Sequence, residues 1–163
     1  MCQNESQFFS NKDLGISFAI PKGLNLYTPE KPGPLRQSFT QGQFLYLINP
    51  DFKGENIGAK YSAFITESDL TGFKQELEES LPTSSLPGYK KISVRYIRIG
   101  SNKQIKAVEH VYSMRGNVLE TIRQILFIYK GRGFTFTCAT SKLRYPKANK
   151  VFFDEIFSNI IFK

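Results

Sequence analysis

The sequence predicts an α+β fold: an antiparallel β-sheet meander with helices packed on both faces, an α/β/α sandwich. Three observations carry that prediction. Residues 90–140 hold four β-rich runs, about 91–99, 104–114, 118–130 and 133–140, and short separators between them supply residues that tolerate φ > 0. Two other segments change to the helical period, one at Leu70, Phe73, Leu77 and Leu81, the other from Phe152 to Ile161. Finally, the runs carry apolar side chains on both faces, so each face needs a cover.

The elements follow in order. Residues 3–13 are polar and read as an N-terminal tether, within a tether segment of 1–13, ahead of a single domain spanning 14–163. Gly15 to Ile20 is a strand that stops at Pro21, and Leu24 to Tyr27 continues it. Thr28 to Pro34 holds three prolines and a glycine and is a loop. Leu35 to Thr40 and Gln43 to Asn49 flank Gln41-Gly42 and read as a hairpin. Asp51 to Gly58 is a loop, and Ala59 to Thr66 a strand.

The first helix follows. Thr66 or Ser68 can cap it, Glu67 and Asp69 suit its positive N-terminal end, and Pro82 ends it. The meander comes next, and a helix over about 146–161 closes the chain. Pro146 suits its first position, and Phe152, Phe153, Ile156, Phe157, Ile160 and Ile161 form one apolar stripe.

Composition narrows function more than it names it. The 163 residues suffice for one domain with its own core, rich in 15 Phe and 8 Tyr but without Trp. The net charge of +8 is uneven: residues 1–89 hold 7 Lys/Arg against 10 Asp/Glu, a net of −3, and residues 90–163 hold 15 against 4, a net of +11. Such asymmetry points to an anionic partner: an acidic protein, an anionic membrane surface or nucleic acid. It also simply confers solubility, and the lack of any Lys/Arg run longer than two residues weighs toward that. No apolar run approaches the roughly 20 residues that span a bilayer.

Catalytic chemistry finds few residues. His110 is the single histidine and no cysteine cluster accompanies it, so neither a multi-histidine nor a cysteine-rich metal site is expected, and no cofactor motif is present. Cys138 alternates with Phe134 and Phe136 as a buried strand thiol. Two-residue turns at 101–102, 116–117 and 131–132 set Ser93, His110, Arg123 and Thr140 in one row of one sheet face, with Arg95 diagonal. That row is a candidate patch for a carboxylate or phosphate through Arg123. The plainer alternative, a polar sheet margin in water, is the commoner arrangement. Lys130-Gly131-Arg132-Gly133-Phe134 faintly echoes an RNA-binding strand, but Arg132 stands where a stacking aromatic belongs, and it reads as a turn. A nucleic-acid partner is therefore not expected.

Two resemblances add to this. Gly15-Ile16-Ser17-Phe18-Ala19-Ile20-Pro21-Lys22-Gly23-Leu24 resembles the opening strand and Pro-x-Gly turn of the Mog1/PsbP/DcrB-like fold family. The strand Phe134 to Thr140, the Tyr145-Pro146 break and the helix closing on Ile160-Ile161-Phe162 resemble its ending. Leu24-Asn25-Leu26 departs from relatives that carry an aromatic soon after that glycine. Separately, Cys2 before Gln3-Asn4-Glu5-Ser6-Gln7 resembles the mature start of a bacterial lipoprotein cut at its lipid-modified cysteine, with Met1 added for expression. The alternative is a cytosolic protein that begins Met-Cys.

These resemblances imply a non-catalytic binding or scaffold module of the cell envelope. It would be anchored through Cys2 in the periplasm or at the outer membrane and would recognise a protein or an anionic surface. The alternative they leave open is a cytoplasmic adaptor or chaperone of the same fold, holding an apolar segment of a secreted client and recognisable by an exposed apolar groove.

Overall fold

The computed structural model describes residues 7–63, 67–79 and 87–163. Cys2 lies outside the described residues, as do the last predicted stripe residue Leu81 and the helix stop Pro82. A small antiparallel sheet is made by β1 (Phe8–Asn11), β2 (Ile16–Ala19) and β10 (Ile161–Phe162), in the order β1-β2-β10. The large sheet contains β3 (Asn25–Tyr27), β4 (Gln43–Ile48), β5 (Asn56–Ala63), β6 (Lys90–Ile99), β7 (Ile105–Arg115), β8 (Leu119–Tyr129) and β9 (Arg132–Ser141). Its order is β3-β4-β5-β9-β8-β7-β6, antiparallel throughout.

One face of the large sheet is fully roofed. A continuous helical segment runs through α2 (Tyr145–Ala148), a wider π-helical turn (Asn149–Phe153) and α3 (Asp154–Asn159). Its stripe Phe152, Phe153, Ile156 and Phe157 is buried. It meets Phe127, Phe134, Phe136 and Cys138, all at most 1 % exposed, and the small sheet adds Phe18 against Phe136 with ring centroids 6.3 Å apart. A bulge between Gln43 and Leu45 turns both Phe44 and Leu45 into this core. The other face carries the 13-residue α1 (Glu67–Glu79), which packs on β6, β7 and β8.

The α+β prediction and the four-strand meander therefore stand. Several local expectations do not. The domain begins before residue 14, because Phe8–Asn11 pairs with β2 and buries Phe9, so those residues belong to the fold rather than to a tether. Leu24 to Tyr27 does not continue the first strand. The chain turns at Gly23, with φ +101°, and β3 joins the other sheet. No hairpin forms about Gln41-Gly42 either. Gly33–Ser38 is a 3-10 helix, because Pro32 and Pro34 fix a turn-like φ and Pro34 offers no ladder N–H. Finally, β5 starts at Asn56, inside the predicted loop.

The meander connections differ from the assumed two-residue turns. Ile99 pairs with Ile105, Arg115 with Leu119 and Tyr129 with Arg132, which makes the connections five, three and two residues long, with a bulge between Lys91 and Ser93. An odd change of register exchanges the faces of a strand. This decides where the candidate residues go.

Candidate functional site

The predicted row is divided between the two faces. His110 pairs with Gln124, whereas Arg123 pairs with Val111 and Cys138, so His110 and Arg123 point to opposite sides. Ser93, Arg95 and Thr140 share the Arg123 face. The correction follows from the register: the first two connections each differ by an odd number of residues from the assumed turns, and that isolates His110 on its strand.

Arg123 and Arg95 do meet, through a residue the sequence reading passed over. Glu109 is 3 % exposed. It accepts from Arg95 Nε at 2.7 Å and from Arg123 Nε at 2.9 Å, and its Oε2 lies 2.8 Å from Arg123 Nη2. Arg123 Nη1 then donates to Asp154 Oδ1 at 2.6 Å and Asn149 Oδ1 at 2.8 Å, so Asp154 ties the roofing helix to the sheet rather than merely facing water. Burial works to lower the Arg123 pKa, but Glu109 and Asp154 outweigh it and hold the guanidinium charged. A lone glutamate inside the run Lys106 to Tyr112 was the available signal.

Thr140 belongs to a second closed network. Its hydroxyl donates to Glu55 Oε1 at 2.7 Å; Arg144 donates to both Glu55 oxygens at 3.1 Å, and Asn49 Nδ2 to Oε2 at 2.5 Å. Burial raises the Glu55 pKa, yet bonds from Arg144, Thr140 and Asn49 prevail and hold it below its ordinary value. Within both networks the buried groups, Glu55, Glu109 and Arg123, are satisfied by one another and by their neighbours, and Arg95, Asp154 and, in part, Arg144 reach solvent. Ser93, half-buried on the edge strand, joins neither.

His110 lies on the α1 face, 3 % exposed. Its Nδ1 is 3.1 Å from Gln124 Oε1, an atom that only accepts, so Nδ1 carries the proton and Nε2 accepts from the Tyr89 hydroxyl at 2.9 Å. Burial lowers its pKa and keeps the ring neutral. Gln124 passes the chain on to Thr137 Oγ1 at 3.4 Å. Cys138 is fully buried on the opposite face with its thiol pushed up to about 12, so it cannot act with His110.

Gln124 and Thr137 lead into the open feature of this face. α1 packs over β6–β8 and leaves a cleft of about 510 Å³ above β8, β9 and β5. Leu70, Phe73 and Leu77 form its helical wall, with Phe73 43 % exposed. Ser62, Gly133, Thr135 and Thr137 make a small, hydroxyl-bearing floor beside Leu126 and Ile128, and Gln41 and Lys60 line the far side. The cleft was missed in the sequence, although β9 signalled it. Gly133, Thr135, Thr137 and Ala139 alternate as small residues with the large Phe134 and Phe136.

Among the described residues no three His, Cys, Asp or Glu side chains gather to hold a metal ion, and no helix is long and apolar enough to cross a membrane.

No family model matches the chain, and none of the curated proteins matches it. Solved structures do. The solution structure of cyanobacterial PsbP from Synechocystis sp. PCC 6803 superposes with a TM-score of 0.69 at 14 % identity, over 96 % of this chain and 92 % of that one. LpqN of Mycobacterium tuberculosis, described as involved in cell envelope biogenesis, superposes with a TM-score of 0.61 at 14 % identity, over 98 % of this chain and 86 % of that one. Likeness at this identity speaks to architecture and not to activity. The two-layered roofing of one antiparallel sheet and these superpositions together give the chain the Mog1/PsbP/DcrB-like fold.

Proposed function

We propose that the chain is a non-catalytic binding module of the bacterial cell envelope that holds an extended segment of a partner protein in the cleft between α1 and the sheet. The observation that carries the reading is the composition of the cleft. An apolar wall suits apolar side chains, while the hydroxyls of Ser62 and Thr135 and the amide of Gln41 suit the peptide groups between them. A purely hydrocarbon ligand would leave those polar groups unpaired. Lys60 at the far side adds a preference for a carboxylate.

The non-catalytic part rests on charge closure: the buried carboxylates and guanidiniums are spent on each other, and the buried thiol stays protonated. The envelope part draws support from the fold shared with LpqN and from the sequence around Cys2. In this reading Cys2 carries the lipid anchor and holds the domain on the periplasmic side or at the outer membrane. More than one acyl chain is needed for stable attachment.

A second reading has one observation in its favour. An adaptor or chaperone in the cytoplasm, holding a secreted client, calls for an exposed apolar groove, and half-exposed Phe73 over the cleft meets that requirement. One experiment separates the two. A photo-reactive benzoylphenylalanine replaces Phe73, or Lys147 as a control, in the native cell. Adducts and intact mass are then read from each cell fraction. A protein adduct specific to position 73, on chains bearing a lipid-sized mass increase in the membrane fraction, supports the envelope module. The same adduct on unmodified soluble chains supports the adaptor. Equal labelling at both positions overturns the cleft as the binding site.

A further inference from the structure

Three turns and the end of β10 meet at one end of the domain. Lys163 N donates to Gly15 O at 2.9 Å, and Arg132 Nη1 donates to Asp13 O at 2.6 Å, which joins the β1–β2 turn to β10 and to the β8–β9 hairpin. Ser101 N donates to Ile160 O at 3.0 Å and brings in the β6–β7 turn. Each of these four segments presents an exposed lysine: Lys12, Lys103 and Lys130 in the turns and Lys163 after β10. Arg98 and Lys106 stand exposed and paired with each other next to that end. Asp13 stands in the β1–β2 turn beside them, and none of the four lysines makes a salt bridge among the described residues.

The backbone gives an independent signal. Among the described residues just two non-glycine positions have positive φ, Lys103 at 53° and Lys130 at 49°. That region strains any residue with a Cβ, and glycine, asparagine or aspartate relieves it. Both positions hold lysine instead, at the tips of two different hairpins on the same end. Both side chains are exposed; Lys103 makes no side-chain hydrogen bond, ion pair or ring contact among the described residues, while Lys130 lays its ammonium 5.5 Å from the centroid of the Tyr129 ring. An exposed cation–π contact is a weak return and Lys103 lacks even that, so strain kept at both positions points to a use for the charge.

We infer that this end of the domain docks on the anionic headgroups of a lipid surface. The cations sit on separate segments, each an ammonium on a flexible stem, and the structure gives them no pocket and no forked geometry. Point charges spread across an end suit a plane of mobile anionic lipids, which rearrange to meet them, better than they suit one shaped ligand. The inference is independent of the cleft, which opens on the α1 face, and either one can fail without the other.

The test uses the purified full chain without lipid and vesicles of phosphatidylglycerol with phosphatidylcholine at equal parts, against phosphatidylcholine alone, read by co-sedimentation. Binding to the anionic vesicles alone, lost at high salt, is expected. The double variant Lys103→Asn/Lys130→Asn removes two charges with a residue that tolerates the backbone. It should lower partitioning roughly 10- to 30-fold, from the usual worth of two basic residues near such a surface. It should also unfold at the wild-type temperature or above, which separates lost charge from lost fold. Lys142→Asn/Lys147→Asn, at the opposite end, should change partitioning less than threefold. Three results overturn the inference: no binding to anionic vesicles, including the case where the chain binds a soluble polyanion such as heparin instead; binding that persists at high salt; or equal losses from the two double variants, which would reduce the effect to net charge.

Discussion

Glu109→Gln is the sharpest test of the buried network. The carboxylate is 3 % exposed and faces Arg123, whose side chain is 7 % exposed, and Arg95, whose side chain is 66 % exposed. The substitution keeps the shape and deletes the charge, and its amide nitrogen presents a donor to a guanidinium that also donates. Removing one partner of a buried ion pair costs about 3–5 kcal/mol, because the other charge stays desolvated. Arg123 retains Asp154 and Asn149, and Asp154 is half in water, so the lower end, about 3 kcal/mol, is expected. For a chain of this size that is a fall in Tm of roughly 6–12 °C. Urea unfolding followed by circular dichroism at pH 7 reads the free energy directly. Replacing both partners, Glu109→Leu with Arg123→Met, should recover most of the loss, since no charge is left unpaired. A loss below about 1 kcal/mol in the single variant, or a double variant as unstable as the sum of its parts, would refute the account of an uncompensated buried charge.

Other consequences can be measured on the same protein. In a Cys2→Ser background, Cys138 should react with a thiol reagent only as fast as the domain opens, because it is fully buried with its thiol pushed up to about 12; fast labelling in native buffer would contradict that. His110 has its pKa lowered by burial, so the folded state takes up fewer protons than the unfolded one. Its contribution is complete above the ordinary value of 6.5 and falls as the pH drops below it, by at most about 1.4 kcal/mol per pH unit. His110→Gln should flatten the urea midpoint between pH 7.5 and 5.5, while the loss tied to Glu55 remains below its ordinary value of 4.5. Gly42→Ala should cost more than about 2 kcal/mol, since φ is +87° and the new Cβ would lie 2.4 Å from Tyr61 O. Gly131→Ala, with φ +74° and open space, should cost only the backbone strain of about 1 kcal/mol, and equal losses would sink the distinction.

The parts of the fold legible in the sequence were those set by short-range pattern. Leu70, Phe73 and Leu77 mark a helix because their spacing is helical, and the glycines at 100, 116 and 131 mark the meander turns because hairpins need such residues. What a glycine does not specify is how many residues the turn uses. Three connections of five, three and two residues look alike in sequence, yet the second puts His110 and Arg123 on opposite faces and the first returns Ser93 and Arg95 to the Arg123 face. β1 escaped notice for a different reason: Phe8 and Phe9 sit in a polar stretch, and only pairing with β2 makes it a strand. Arg123 stood out as a polar residue in an apolar run, but its partners Asp154 and Asn149 come from a helix 26 to 31 residues away, which no local pattern encodes.

The cleft is a matter of coverage, and coverage is written in the alternation of β9. Facing α2 and α3, this strand offers Phe134, Phe136 and Cys138, which fill a closed core; facing α1 it offers Gly133, Thr135 and Thr137, which fill nothing. A face selected only for stability would use the large apolar residues found on its other side. Thr135→Leu tests whether the space is held open for a partner. The added carbons would enter a cleft rather than a packed core, beside Leu70, Phe73 and Leu126, so no overpacking penalty applies. Burying roughly two further methyl-sized groups should leave the domain as stable as wild type or up to about 1 kcal/mol more stable. The same variant should lose the partner adduct at position 73. Unchanged adduct yield would mean that the partner does not enter the cleft. A destabilisation above about 1 kcal/mol would mean that the floor is already packed, and that its small residues serve the fold rather than a ligand.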